Sequence, residues 1–409
     1  MGTESLTTQC AIAGGGPAGV MLGFLLARAG VEVVVLEKHA DFFRDFRGDT
    51  IHPSTLEVMY ELGLLDEFLK QPHQKVSELS AHIGEEQVMI ADFSHLPTHC
   101  KFIAFMPQWD FLNFLAAAAK AYPTFHLRMQ AEVDELITDV DRVIGLKAAT
   151  PQGELDIRAD LVVGADGRHS VVRKLAGLEV EDLGAPMDVL WLRLSKQPGD
   201  GSDSFGHIEA GRFFIMLNRG DYWQCAFVIP KGGFNELRRR GLEAFRLDIA
   251  TLNPKLSDRV RELASWDDVK LLTVRVDRLK RWYRPGLLCI GDAAHAMSPI
   301  GGVGINLAIQ DAVAAANILA GPLREEKVTE DVLRLVQKRR QWPTEMTQAI
   351  QIFMQNRVIS NVLAMTARPK LPLVAKLLNR FPRLRRIPAR LIGMGLRPEH
   401  IRGSEVRNQ

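Results

Sequence analysis

Six residues near the amino terminus, Gly14-Gly15-Gly16-Pro17-Ala18-Gly19, have the G-x-G-x-x-G spacing that brings a backbone against a pyrophosphate. In that pattern the first glycine permits a tight turn and the second lets backbone N–H groups approach the phosphate. The third lets the following helix pack closely on its strand. The phosphate then faces a helix amino terminus, where unpaired donors and the macrodipole favour negative charge. Glu37 stands 23 residues after Gly14, near the ~20-residue offset of an acid that receives a ribose hydroxyl, and Lys38 follows it. This unit predicts dinucleotide binding without separating FAD from NAD.

A second cluster makes that separation. Gly291-Asp292-Ala293-Ala294-His295 follows an apolar run and leads into Pro299-Ile300-Gly301-Gly302-Val303-Gly304-Ile305-Asn306. An acid directly after a strand can receive a sugar hydroxyl. The glycines and helix start that follow aim N–H donors at the N1–C2=O edge where reduced flavin carries negative charge. The combination points to FAD. A third cluster, Gly164-Ala165-Asp166-Gly167-Arg168-His169-Ser170, also follows an apolar strand, and by itself Asp-Gly reads first as a turn.

The elements that must position these residues are legible around them. Residues 8–37 read as strand, glycine turn, helix and buried parallel strand. A helix is expected over roughly 53–70, introduced by Pro53, and another from Asp110 to Tyr122. Residues 131–163 suit a small sheet, and 185–275 break into short strand-like pieces with one charged helix. The nucleotide fold resumes at Leu287-Leu288-Cys289-Ile290 with a long helix from near Gly304. The expected fold class is α/β: a Rossmann-type FAD-binding domain with an inserted β-sheet substrate domain and a C-terminal helical region. The division is residues 1–72, 97–184 and 275–345 for FAD, 73–96 and 185–274 for substrate, and 346–409 for the basic helical end.

At 409 residues the chain is long enough for two packed domains. Its 46% hydrophobic and 24% charged residues are the balance of a soluble enzyme. A net charge of +2 argues against nucleic acid as a partner. Cys10, Cys100, Cys225 and Cys289 form no CxxC pair, which excludes a zinc site or disulfide framework and fits a reducing cytoplasm. No signal-peptide pattern opens the chain, and no apolar run of membrane-spanning length is expected.

Together GGGPAG with Glu37, GADGRHS and GDAAHAMSPIGGVGIN resemble the flavoprotein aromatic hydroxylases, the group similar to p-hydroxybenzoate hydroxylase, over about residues 8–345. The resemblance implies a single-component monooxygenase with one FAD, reduced by NADH or NADPH that has no Rossmann domain of its own. O₂ is the co-substrate, and oxygen passes through a flavin C4a-hydroperoxide to an aromatic or similarly electron-rich small molecule. It also implies site roles. Arg47 looks like the arginine that closes over the cofactor, and Gln108 like the residue contacting its sugar or ribitol chain. Asp292 lies at the ribitol position, Pro299 resembles the proline beside the isoalloxazine face, and Ile305 and Asn306 match residues at the pyrimidine edge.

Substrate contacts are expected from the inserted sheet, with Trp191, His207, Arg212, Phe214, Tyr222 and Trp223 as candidates and Arg212 available for an acidic substrate. For a phenol base, His52, His207 and Tyr222 stay open. Cys225 and Phe227 stand where a flavin halogenase of the W-x-W-x-I-P type has tryptophans, which argues against that class. A polyprenyl-phenol or quinone-precursor hydroxylase, a prenyl-chain reductase of the same fold and a non-enzymatic flavin redox sensor are the other readings. The expected state is a monomer or homodimer. Prolines 369, 372, 382, 388 and 398 interrupt the basic C-terminal region. This favours packing over the substrate mouth above docking on a membrane, which would require an apolar face.

Overall fold

The computed structural model describes residues 3–43, 50–200, 205–209, 211–365 and 371–402. Arg47 lies outside them.

Two sheets carry the architecture. The first, eight-stranded, runs Tyr283–Arg284, Leu287–Cys289, Gly153–Gly164, Glu4–Ala13, Val33–Glu37 and Phe125–Met129. From Leu287–Cys289 onward these neighbours pair in parallel. The strand Gly153–Gly164 serves two partners on one edge. Its first half pairs antiparallel with Arg142–Thr150, itself paired with Glu132–Asp139. Its last residues, Val162 to Gly164, pair with Leu287 to Cys289. This central sheet reads as near-continuous apolar runs because both faces are covered. The helices Pro17–Arg28 and Gly304–Arg324 bury most of their residues against it.

Among the described residues, helix Gly304–Arg324 belongs to the one stretch, Ile300–Arg324, long and apolar enough by composition to cross a membrane, contrary to expectation. It is 72% buried inside the fold, the signature of a core helix. The helix expected over 53–70 is two pieces, Pro53–Glu61 and Leu65–Phe68, parted by Gly63 at φ +71°. The next runs from Gln108 to Ala119, starting earlier than expected because Pro107 supplies its entry.

The second sheet, seven-stranded, is ordered Lys270–Leu272, Met187–Ser195, Tyr222–Pro230, Arg212–Asn218, Phe205–Glu209, Glu78–Ile83, Glu86–Asp92. One face packs on the helices Phe234–Arg240 and Leu242–Leu252 through Leu190, Phe214, Trp223, Phe227 and Phe245. The other face, with Val189, Trp191, Phe213 and Ile215, gathers Ile300, Ile359 and Leu363 into a separate apolar cluster. The C-terminal region forms the short helices Ser360–Ala364, Leu373–Arg380 and Arg386–Gly393.

Candidate active site

The glycine turn is dictated by contact. Gly14 adopts φ +107°, and a Cβ on it would lie 2.4 Å from the Ala165 carbonyl oxygen. A Cβ on Gly19 would sit 1.9 Å from the Gly14 carbonyl oxygen. Gly16 differs. Its φ of −75° suits any residue, and a Cβ there would meet nothing within 4 Å. Gly16 is also the N-cap of Pro17–Arg28, and no side chain caps that helix. With Pro17 and Ala18 forming the first turn, backbone donors face an open cradle that fits a pyrophosphate. Glu37, ending its strand, turns its carboxylate onto this loop and accepts from the Gly15 and His39 amides at 3.1 Å each. Lys38 points to Glu132 at 3.7 Å on the surface.

The three motifs converge because their strands are neighbours and all three loops leave the carboxyl ends, the ligand side of an open parallel sheet. The Ala165 amide donates to the Ala13 carbonyl at 2.8 Å, and the Ile290 amide to the Gly164 carbonyl at 3.0 Å. Asp292 and Arg168 lie 3.7 Å apart, about a third exposed each. Asp166 has a divided role: Oδ2 accepts from the Val171 and Val172 amides at 2.7 and 3.1 Å, capping a short helix. Its Oδ1 is buried without a hydrogen-bond partner among the described residues.

The turn at Pro299 is held by Asn306 together with four residues that the sequence patterns did not single out, Thr50, Thr55, Gln351 and Gln355. Gly301 and Gly302 take φ +77° and +63°, and the Gly302 carbonyl accepts from Thr50 Oγ1 at 2.9 Å. A Cβ on Gly302 would lie 2.5 Å from that same Oγ1. Asn306, at the start of the helix that Gly304 and Ile305 open, is spent on this support. Its Oδ1 accepts from the His52 amide at 2.8 Å and Thr55 Oγ1 at 2.7 Å, and its Nδ2 donates to the Thr50 carbonyl at 3.1 Å. The side chain therefore locks the 50–55 segment to the turn and leaves only its backbone for a flavin edge. Behind the turn, Gln351 Nε2 donates to the Ser298 and Ile300 carbonyls at 3.0 and 2.9 Å, and Gln355 Nε2 to Ser298 Oγ at 2.6 Å.

Beneath Asp292, Asp311 is fully buried and accepts from the Gly291 amide at 3.1 Å, from His295 Nε2 at 2.5 Å and from Arg340 Nε at 2.9 Å. Burial alone would raise its pKa, but His295 and Arg340 outweigh that and hold the carboxyl below its usual range. Arg173 joins the Asp166 loop to the Asp292 loop, donating to the Arg168 carbonyl at 2.6 Å and the Ala293 carbonyl at 3.4 Å, while Asp277 at 3.2 Å balances its charge. Gln108 opens its helix at an end no side chain caps, with Trp109 tilted against Phe43 at 4.8 Å.

The substrate-pocket candidates do not gather in one place. Phe214 and Trp223 point into the core between the sheet and its helices, on the face opposite Ile300. Arg212 shares their face and is bound to Asp248 at 2.5 Å, which Arg240 also engages at 3.0 Å, so its guanidinium is turned toward the helix Leu242–Leu252. His207 lies opposite Phe214 in register, stacked on His82 at 5.2 Å, and burial, then His82, pushes its imidazole down to about 4. The strand parity that the expectation needed runs through Phe213 and Ile215 instead. Trp191 is on the face with Ile300, and its indole Nε1 is buried with no acceptor among the described residues. Tyr222, opposite Ser195 on that face, carries the Arg193 guanidinium 3.7 Å above its ring. His52 is fully buried, with Nδ1 donating to the Ile392 carbonyl at 2.7 Å.

Residues 7–350 match the model of the FAD binding domain family, and the chain belongs to it. It is an FAD-dependent oxidoreductase of the aromatic-hydroxylase class. Among relatives, it is 32% identical to a 6-methylpretetramide 4-monooxygenase of Streptomyces rimosus, over 94% of this chain and 92% of the relative. It is 27% identical to the 3-demethoxyubiquinol 3-hydroxylase of Escherichia coli, over 81% of this chain and 85% of that one. In fold it is similar to PqsL, a probable FAD-dependent monooxygenase from Pseudomonas aeruginosa, at TM-score 0.73 and 23% identity, covering 88% of this chain and 98% of that one. It is also similar to p-nitrophenol 4-monooxygenase from Pseudomonas putida, at TM-score 0.75 and 21% identity, covering 96% and 100%.

Proposed function

We propose that this enzyme consumes NADH or NADPH and O₂ to hydroxylate an aromatic or similarly electron-rich small molecule held between the Pro299–Gly302 turn and the inner face of the seven-stranded sheet. The observation that carries the reading is Ile300. It belongs to the turn that follows the Asp292 motif, and it packs into the apolar cluster of Val189, Trp191, Phe213 and Ile215. The cofactor loops and the sheet thus share one apolar boundary. The 32% identity to a 4-monooxygenase of 6-methylpretetramide favours a substrate of that kind.

Bound FAD supplies the redox chemistry and oxygen activation, and the chain supplies binding, orientation and exclusion of water. Gly14, Gly16 and Gly19 would cradle the pyrophosphate, Glu37 and Asp292 would receive sugar and ribitol hydroxyls, and the Gly302–Gly304 backbone would meet the pyrimidine edge. The start of Gly304–Arg324, which no side chain caps, would set a helix dipole against the edge where reduced flavin carries charge. Trp191 would donate to a substrate oxygen. The sheet face together with Ile359 and Leu363 would keep water out.

The test is consumption of NADH or NADPH and O₂ against a panel of phenols, quinols and polycyclic aromatics, followed by ¹⁸O₂ labelling of any product. One labelled oxygen per product supports the reading. Unlabelled product, or anaerobic turnover at an undiminished rate, moves the protein to the reductase class.

A further inference from the structure

Between Glu345 and Glu399 the chain carries ten Lys and Arg and no Asp or Glu. The helix Leu373–Arg380 turns Ala375 inward and is stitched to the edge strand Glu86–Asp92 by Asn379. That side chain donates to the Gln87 carbonyl at 2.9 Å and accepts from the Met89 amide at 3.2 Å. The helix Arg386–Gly393 likewise buries Ala389 and Gly393. The small residues of both helices thus face the protein.

The large apolar residues face outward. Leu373 and Val374 are 72% and 68% exposed, Ile387 is 60% exposed, and Leu377, Phe381 and Leu391 are exposed as well. Positions 373 and 377, and positions 387 and 391, lie one helical turn apart, so each helix shows an outward apolar stripe, with exposed Phe381 just past the end of the first. Lys376 and Arg380 border the first stripe, and Arg383, Arg386 and Arg390 the second, all exposed. The prolines are expected to interrupt the region and so to favour packing over docking. Pro372, however, precedes the first helix and Pro388 sits in the first turn of the second, where a proline is tolerated, so two short amphipathic helices form around them.

We propose that this face docks on the surface of an anionic lipid bilayer. Apolar side chains enter the acyl boundary while the long basic stems reach the phosphate headgroups. A second copy of the chain is a poorer occupant. A twofold contact would set these two helices, whose own residues include no acid, against themselves, cation facing cation.

Flotation of the FAD-loaded full-length protein with vesicles decides it. Vesicles of phosphatidylcholine mixed with phosphatidylglycerol should carry the protein, and pure phosphatidylcholine vesicles should not. Raised salt should weaken the binding. The triple variant Lys376→Gln, Arg380→Gln, Arg390→Gln should bind about a hundredfold more weakly, the combined effect of three basic side chains near an anionic surface. The double variant Leu373→Ser, Ile387→Ser should bind at least about tenfold more weakly. Both alter exposed side chains, so FAD absorbance and circular dichroism should stay unchanged. Equal binding to both vesicle types, no binding to either, or variants that bind like the parent overturns the proposal. So does a double variant that turns a dimer into a monomer, which assigns the face to a second copy.

Discussion

His52 Nδ1 donates to the Ile392 carbonyl at 2.7 Å, tying the segment that holds the Gly302 turn to a helix 340 residues further along the chain. A carbonyl only accepts, so Nδ1 carries the proton, and Nε2 is buried without a partner among the described residues. Charging this ring would place an unpaired donor in the core. Burial accordingly pushes the imidazole down from 6.5 to about 4, against the smaller opposing effect of the Ile392 carbonyl.

The sign of the pH dependence follows. The unfolded chain binds a proton below about pH 6.5 and the folded one only near pH 4. Stability is therefore complete above 6.5 and declines as pH falls through that window, by about 3 kcal/mol at most. Thermal midpoints of the parent and of His52→Phe, taken from pH 7 to pH 4.5, check this. The variant should start lower, having lost the Ile392 bond, and should show a shallower acid decline. Parallel profiles would show that His52 is not the group responsible.

The glycines separate folding from cofactor binding. Gly16→Val should fold, since its φ is ordinary and a Cβ meets nothing within 4 Å, yet its branched side chain fills the cradle in front of the uncapped helix. It should purify with little or no FAD. Gly19→Ala should instead lower the midpoint or prevent folding, because its Cβ would sit 1.9 Å from the Gly14 carbonyl oxygen. A yellow, fully loaded Gly16→Val protein would refute the placement of the pyrophosphate.

Asp311 positions the Asp292 loop through the Gly291 amide while neutralising Arg340. Asp311→Asn keeps the shape and removes the charge, leaving the fully buried Arg340 to Glu399 alone at 3.2 Å. Loss of one partner of a buried ion pair costs about 3–5 kcal/mol. A lower midpoint should therefore accompany weaker FAD retention. Because the folded carboxyl lies below its usual value, its contribution is present above pH 3.8 and fades as pH falls from there. Unchanged stability together with unchanged FAD affinity would show that the contact positions nothing.

The glycine turn of this candidate site was legible because backbone geometry itself demanded the residues. Gly14 at positive φ and Gly19 against a carbonyl tolerate no substitute, so their spacing is a direct trace of the turn. The supporting layer was not legible. Gln337, Arg340, Thr344, Gln348, Gln351 and Gln355 recur at helical spacing as a polar stripe, which reads as the wet side of a helix, yet all six are buried. The sheet misled for a simpler reason. Arg212–Asn218 carries bulky apolar residues on both faces, so alternation separates Phe213 and Ile215 from Phe214 and Met216 but does not say which pair meets the cofactor domain. Arg212 looked available because its partner Asp248 lies 36 residues away on a helix.

Trp191 offers the cleanest test of the substrate side. It is a ring on the apolar face shared with Ile300, and its N–H is shielded from solvent with no acceptor among the described residues. A buried donor left unmatched costs about 1–3 kcal/mol, and a substrate oxygen would remove that cost on binding. Trp191→Phe retains an aromatic side chain and deletes the donor. KM, or the substrate Kd followed by flavin absorbance, should rise about threefold to tenfold, the size of one neutral hydrogen bond. FAD content and the slow oxidation of NADH or NADPH without substrate should not change, since neither involves the indole. A less firmly held substrate should also divert more of the O₂ consumed to H₂O₂ instead of product. If KM and coupling both match the parent while the thermal midpoint falls, the indole is a packing residue and the substrate lies elsewhere along the sheet.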